Sequence, residues 1–442
     1  MRKKRFTIVT LGCAKNLVDS EIIAGIMEKN GYTFTGETNH ADILAINTCG
    51  FITPAIMESI EAILEAVELK KKNGKIKILV CGCLSERYKE NLIRELPEVD
   101  FFAGVNDIEN ILKIIEGREK PFSKIPYIYS HKTPRKDLSL PHIKYVKIAE
   151  GCSHKCSFCV IPYIKGPYRS REIGDIVDEV KKSVDEGKRE IILISQDSGY
   201  YGKDIYKKPS LHKLLKELDK IEGNFWIRVL YINPQYLNEK LVEVFKNSTH
   251  ICPYFDIPFQ HASKKILKLM KRKGDVNSFL EKIKLIREKI PISTIRSTII
   301  VGFPGESDED YEILKNFLIK ARMDFVGFFP YYDEEGTSAF TLKNKVSSST
   351  TRKRISQLQK IQKKIMKEIY KEKFKNKVFD VIVDGYAGKD KILIEGRTSL
   401  QAPEIDSVVF LTRGNIEKLK VGKLYKVKIK RYLYPDMGGW VI

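Results

Sequence analysis

Short apolar runs alternate with amphipathic stretches through the first hundred residues of this chain. Residues 6–11, 43–47 and 76–80 read as strands, and residues 16–30 and 54–71 as helices. Val18, Ile22, Ile23 and Ile26 share one face of the first helix, and Gly31 stops it. Pro54 opens the second, where a missing N–H costs least. Strand–helix alternation of this kind predicts an α/β domain with a parallel sheet covered by helices. Residues 122–141 carry Pro126, Pro134 and Pro141 among polar positions with no helical period, the pattern of a linker. A second strand–helix series follows, with strands expected at 145–149, 191–195, 225–230, 254–258, 294–301 and 325–330. Six such units are fewer than an eightfold barrel needs, so an open, partial (β/α)6 barrel is expected. Residues 351–377 form one long amphipathic helix with an apolar stripe of Ile355, Leu358, Ile361, Ile365 and Ile369 and a Lys/Arg-rich opposite face. That basic face reads as a solvated surface or as an electrostatic contact with RNA. From 378 the pattern becomes all-β, with strands expected at 378–383, 392–397, 407–411, 424–431 and 440–442, the size of a small oligonucleotide-binding barrel. The expected divisions are an N-terminal domain at 1–120, a linker at 121–141, the partial barrel at 142–372 and the terminal barrel at 373–442.

Composition adds a charge. In 442 residues, 78 Lys and Arg stand against 57 Asp and Glu, a net +21. The surplus favours a polyanionic partner, RNA or a ribonucleoprotein. A Lys-rich solvated surface gives the same figure. No apolar run approaches the roughly 18–20 residues of a membrane span. The apolar stretch at 6–11, though preceded by basic residues, is shorter than the roughly 7–15 residues of a signal-peptide core. A cytoplasmic protein with no membrane contact is expected. No coiled-coil seam is visible, so a monomer is expected.

The chemistry lies in the eight cysteines. A large cytosolic chain rarely uses cysteine for disulfides, so metal or catalysis is the expected use. Cys152-Ser-His-Lys-Cys156-Ser-Phe-Cys159 follows a predicted strand and so lies at the C-terminal mouth of the barrel. Three thiolates suit three irons of a 4Fe–4S cubane and leave the fourth iron open. Zinc, the alternative, usually takes four ligands in paired spacings; no second pair follows, and His154 is poorly placed to complete a tetrahedron. Cys13, Cys49 and Cys83 each fall just after a predicted strand. Parallel strands bring their C-terminal ends to one edge, so these loops converge on a second three-cysteine site. Three unrelated buried thiols are the other reading. Cys81 competes with Cys83, which lies further past its strand; Cys252 reads as a core thiol.

The Cys-x3-Cys-x2-Cys spacing, with Phe158 before the third cysteine, resembles the signature of radical S-adenosylmethionine (SAM) enzymes. That resemblance implies SAM on the open iron and its one-electron cleavage to a 5′-deoxyadenosyl radical, with an external electron donor. Gln196-Asp197 and Gly302-Phe303-Pro304-Gly305-Glu306 resemble the strand ends that contact SAM, which makes Phe158, Gln196, Gly302 and Glu306 cofactor-binding candidates. Leu11-Gly12-Cys13-Ala14-Lys15-Asn16, Asn47-Thr48-Cys49-Gly50 and Gly82-Cys83-Leu84, with Glu150-Gly151-Cys152 and Arg169-Ser170-Arg171, resemble the methylthiotransferases, whose terminal barrel is of the TRAM type. The resemblance implies two 4Fe–4S clusters, an auxiliary one at Cys13, Cys49 and Cys83 and a SAM-binding one at Cys152, Cys156 and Cys159. It also implies two uses of SAM, as methyl donor and as radical source. No acid–base pair stands out, because the hard chemistry belongs to the cofactors. The Cys13-Ala14-Lys15-Asn16 opening and the stretch 396–406 resemble the branch that acts on the β-carbon of an aspartate in the small-subunit ribosomal protein uS12, at the decoding centre. Ala14 departs from that branch's usual proline. The charge suits the alternative, the branch that modifies adenosine in tRNA. The acidic run 404–406 offers a contact for a basic ribosomal protein. A reading of another class is a non-catalytic RNA-binding adaptor whose metal sites only stabilise the fold; anaerobic protein of that kind holding zinc is colourless, whereas iron–sulfur protein is brown.

Overall fold

The computed structural model describes residues 3–388 and 393–442. Met1, Arg2 and Ile392, the first residue of one expected strand, lie outside the described residues. The chain opens with β1 (Arg5–Thr10), α1 (Ala14–Lys29), β2 (Thr33–Phe34), β3 (Ile43–Thr48), α2 (Thr53–Lys72), β4 (Lys77–Gly82), α3 (Cys83–Glu95), β5 (Phe101–Phe102) and α4 (Ile111–Ile115). All neighbouring strands are parallel, in the order β2-β1-β3-β4-β5. The expected strands and helices are present, with ends shifted by a few residues. β2 and β5 are two residues each, too short to leave a period in the sequence. α3 escaped the pattern because its exposed stretch is almost wholly polar. α1 is buried on more than its apolar face: Asn16, Asp19, Ser20 and Glu21 are buried beside Val18, Ile22 and Ile23.

The partial barrel explains that. Its six strands are β6 (Ile143–Lys147), β9 (Glu190–Ile194), β10 (Trp226–Val229), β11 (Tyr254–Asp256), β12 (Thr294–Val301) and β13 (Phe325–Pro330). Parallel pairing runs β6-β9-β10 and β11-β12-β13, and an Ile227–Ile251 bridge joins the two halves. A short antiparallel pair, β7 (Ala149–Glu150) and β8 (Arg169–Ser170), brackets the three-cysteine loop and α5 (Ile161–Lys165). Side chains alternate between two cores, as period-two strands require. Val146, Ile191, Leu193, Ile227 and Val229 pack outward against α6 (Ile173–Asp185), α7 (Leu211–Leu218) and the later helices α8 (Glu239–Asn247), α10 (Val276–Lys289) and α11 (Asp308–Ala321). Tyr145, Ile192, Ile194, Leu230 and Tyr254 instead share a core with Val18 and Ile22 of α1 and with Ala402 from the terminal barrel. A short helix, α9 (Lys264–Leu269), follows β11.

The long helix α12 (Ser348–Ile369) ends in a wide turn at Tyr370–Phe374. Leu358 and Ile365 are buried and Ile355, Ile361 and Ile369 pack partly buried around them. β14 (Val378–Ala387), β15 (Leu393–Thr398), β16 (Val409–Arg413), β17 (Leu424–Leu433) and β18 (Asp436–Val441) close into a barrel in the order β14-β15-β16-β18-β17.

Two expectations about connecting segments change. The proline-bearing stretch after residue 120 has no helix or strand until β6, yet it is packed down on both neighbours. Arg135 donates to Glu21 of α1 and, at 2.9 Å, to Glu179 of α6. Tyr129 donates to both Glu179 oxygens at 3.1 and 3.0 Å. The acidic run 404–406 is not a free acidic surface: Glu404 is exposed, but the Asp406 carboxylate is buried and accepts from Tyr254 of β11 at 2.6 Å. Among the described residues no helix is long and apolar enough to cross a membrane.

Candidate functional site

The C-terminal edge of the first sheet faces the C-terminal mouth of the partial barrel across a cavity of about 370 Å³. Cys13, Cys49 and Cys83 line it from one side and Cys152, Cys156 and Cys159 from the other. All are free thiols. Cys81 and Cys252 point instead into the shared core behind it.

Local backbone places each thiol. The turn after β1 passes through Gly12 with φ +90°, and a Cβ there would stand 2.7 Å from the Cys49 Cβ. Only glycine allows the Cys13 and Cys49 loops to approach so closely. Gly151, at φ +79°, turns the chain from β7 into Cys152, and a Cβ there would meet the Pro167 carbonyl oxygen at 2.2 Å. The Cys49 amide donates to Ser59 Oγ at 3.0 Å, and the Cys152 amide to the Gly166 carbonyl at 3.0 Å. Asn16 ties the first three loops together. Its Nδ2 donates to the Leu11 and Thr48 carbonyls at 2.8 and 3.0 Å, its carbonyl accepts from Asn47 Nδ2 at 2.8 Å, and the Cys83 thiol lies 3.8 Å from its Oδ1. Ser157 pins the other loop by donating to the Leu269 carbonyl at 2.7 Å.

Burial pushes the Cys83 and Cys159 thiols up to about 12 and Cys152 up to about 11. Thiols raised this far are protonated at neutral pH before ligation, so binding a metal group must release protons. Among the described residues no three Cys, His, Asp or Glu side chains gather around a single-ion position.

Phe158 and Gln196 line the cavity. Gln196 Nε2 donates to Glu150 at 2.6 Å, while its buried Oε1 has no partner among the described residues. Glu150 is itself held by Lys147 at 2.6 Å. Burial pushes the Glu150 carboxyl up, but Lys147 and Lys165 outweigh that and hold it far below the usual range. His154 Nε2 is engaged by Asp197 at 2.7 Å, and its ring packs against Tyr200 and Tyr236. Gly302 and Glu306 are not among the lining residues. Glu306 accepts from the Gly302 amide at 2.8 Å and pairs with Arg354 at 2.6 Å, which seats α12 on the barrel rim. Thr298 of β12 and Gln260, which follows β11 and bridges to β12, reach the cavity instead.

Three further lining residues were not singled out by sequence. Arg272 stands 3.8 Å from the Cys156 sulfur and donates to the Pro258 carbonyl at 2.8 Å. The Lys15 ammonium lies 4.1 Å over the Tyr231 ring. A lone basic or aromatic residue in a loop carries no spacing that marks it; Lys15 alone had a signal, its place in the first cysteine motif.

Residues 5–104 match the family described as Uncharacterized protein family UPF0004, residues 146–318 the Radical SAM superfamily, and residues 377–442 the TRAM domain. The chain is 40% identical to the ribosomal protein uS12 methylthiotransferase RimO of Clostridioides difficile, over 99% of each chain. It is 43% identical to the protein of the same name from Aquifex aeolicus, over 98% of this chain and 96% of that one. Among solved structures it is similar in fold to the radical SAM methyltransferase TsrM of Kitasatospora setae with cobalamin and a [4Fe-4S] cluster bound. That match has a TM-score of 0.56 at 13% identity and covers 77% of this chain and 74% of the other.

Proposed function

The chain belongs to the ribosomal protein uS12 methylthiotransferases, radical SAM enzymes, and from that premise we propose which of its residues carry the reaction. The enzyme replaces a hydrogen on the β-carbon of a uS12 aspartate with a methylthio group, using SAM and two 4Fe–4S clusters. Cys152, Cys156 and Cys159 hold the cluster that binds SAM; Cys13, Cys49 and Cys83 hold the auxiliary cluster. The observation that carries this assignment is that both triads open on one cavity. Groups held by the two triads would then face one another across a single shared space.

The residues present fit these groups. Three free thiols on each side of the cavity match the cysteine ligation of a cubane. The unpartnered Gln196 Oε1 offers an acceptor to an N–H or O–H of SAM. When bound, the clusters and SAM supply the hydrogen-abstracting radical and the transferable sulfur. The chain does the rest. Glu150, fixed by Lys147, aims Gln196. Arg272 offsets thiolate charge at Cys156. Phe158 supplies an apolar wall, and His154 with Tyr200 and Tyr236 closes the side of the Cys152 loop against water. Gly302 and Glu306 act at one remove, through the seating of α12. The enzyme works as a cytoplasmic monomer on uS12, free or in the small subunit, with electrons from an external donor.

The test is the mass of uS12 from host cells with and without the gene. A methylthio increment on an aspartate-containing peptide, lost without the gene, is the expected result. Unmodified uS12 together with a methylthio-adenosine missing from tRNA would overturn the substrate.

A further inference from the structure

Three cations line the cavity, and they are held differently. Lys165 is bonded to Asp19 at 3.2 Å. Arg272 sits on the Cys156 side and gives a hydrogen bond to a backbone carbonyl. Lys15, half-buried, has no carboxylate in ion-pair reach among the described residues; its ammonium rests on the Tyr231 ring, and Glu150 acts on it only from beyond ion-pair distance. The cavity's own carboxylate, Asp197, is engaged by His154, and nearby Glu150 by Lys147 and Gln196. A cation drawn from water without a counter-charge is costly, unless an anion arrives to meet it.

The backbone maintains this arrangement under strain. Tyr231 follows β10 with φ +62°, a conformation rare for a bulky side chain. Its amide donates to Asp256 at 2.9 Å, and its carbonyl accepts from the Ser198 amide at 2.8 Å. Strain of this kind persists where surroundings enforce it, and it concentrates at working sites. Here it presents an aromatic face on which the Lys15 ammonium rests, a favourable cation–π contact that leaves its N–H donors free. Lys15 extends from the residue pair following Cys13 to Tyr231 on the barrel rim, so it bridges the two sides of the cavity.

We propose that Lys15 selects the acidic side chain of the substrate: its ammonium receives the carboxylate of the target aspartate between the two cysteine triads. This rests on the uS12 reading above. The chemistry makes the placement useful. The carboxylate carbon of aspartate is bonded directly to the β-carbon, so fixing one fixes the reacting atom within a single bond. Lys15 is thus a specificity-determining residue that touches substrate and not cofactor.

The test pairs the enzyme variant with a substrate variant. Reconstituted wild-type enzyme, Lys15→Gln and Lys15→Arg are each given uS12 and a uS12 with asparagine at the target position. Product is read by mass, kcat/KM by time course, and cluster loading by iron content. Equilibrium binding of the two uS12 forms covers any variant too slow to assay. Wild type is expected to favour the aspartate form by about 100-fold, the size of effect seen when one member of a desolvated charge pair is removed. Lys15→Gln should retain its iron and lose that preference, in rate or in binding, and Lys15→Arg should recover part of it. Full iron with an unchanged preference would overturn the proposal. So would loss of iron in Lys15→Gln, which would make Lys15 a support for the cluster. A wild-type enzyme that modifies neither form but acts on tRNA would overturn the uS12 reading, and this proposal with it.

Discussion

Gly12 controls two thiols at once. Its φ of +90° is open to glycine at little cost, and an added Cβ would stand 2.7 Å from the Cys49 Cβ and 3.0 Å from its sulfur. A left-handed backbone costs a side-chain-bearing residue about 1–2 kcal/mol before any clash. The clash falls on a Cβ atom, which no rotamer change can move. Gly12→Ala should therefore displace Cys13 from Cys49 and leave the Cys152 loop untouched. Reconstituted protein is expected to hold about half the wild-type iron, one cluster of two, as read by iron assay. Full iron would show that the first triad tolerates the displacement. At this scale the thiols were legible because cysteine is rare and each followed a readable strand. Asn16, whose amide and backbone carbonyl join the loops around Cys13, Cys49 and Cys83, was visible only as a letter in a motif. A polar residue in the first turn of a helix reads as surface, and the partners that bury it are about 30 residues away in sequence.

Among elements, the segment before β6 shows what sequence pattern leaves out. Its prolines correctly excluded a helix, since proline lacks the donor and disfavours the preceding α conformation. They could not say that the segment would be buried. Arg135 is 6% exposed and serves Glu21, which is fully buried, as its only cation among the described residues. Arg135→Met leaves that carboxylate unpaired, which costs about 3–5 kcal/mol. The neighbouring pair Lys136–Glu28 is about one-third exposed, and such pairs contribute about 0–1 kcal/mol. Lys136→Met should leave the urea midpoint nearly unmoved while Arg135→Met lowers it clearly; equal shifts would show that the segment is a tether. The loop between β15 and β16 offers a second contrast. Glu404→Lys changes an exposed position and should leave folding intact, whereas Asp406→Lys puts a cation in the place of an acceptor for Tyr254. Limited proteolysis should release the terminal barrel from the second variant only.

Across the whole molecule the three folded parts were legible as separate patterns, and their junction was not. Each part contributes side chains that look like its own surface: α1 its polar face, the barrel the inward residues of its strands, the terminal barrel a loop. Together they form one core in which Val18, Ile192 and Ala402 are neighbours. The junction carries buried charge. Arg397 bonds to Glu190 of β9 at 2.7 Å and to Asp384 of β14 at 2.7 Å, and Arg228 bonds to Glu190 at 2.7 Å. Burial pushes Glu190 up, but Arg397 and Arg228 outweigh it and hold the carboxyl below its ordinary range. Burial also pushes Asp406 up, and there Arg296 and the Tyr254 hydroxyl do not compensate, so that carboxyl stays raised. The two then have opposite signs in acid. Glu190 contributes stability that is present above its unfolded value near 4.3 and lost as pH falls through its lower folded value. The Asp406 contribution is full below its unfolded value near 3.9 and is lost as pH rises through its higher folded value. In melting curves from pH 3.5 to 7, Glu190→Gln should differ most from wild type at neutral pH, and the gap should narrow toward acid. Asp406→Asn should show the reverse, matching or exceeding wild type at neutral pH and losing ground as the wild-type carboxyl takes up its proton. Parallel curves for both variants would mean that the junction's stability comes from packing around Ala402 and Tyr254 and not from its charges.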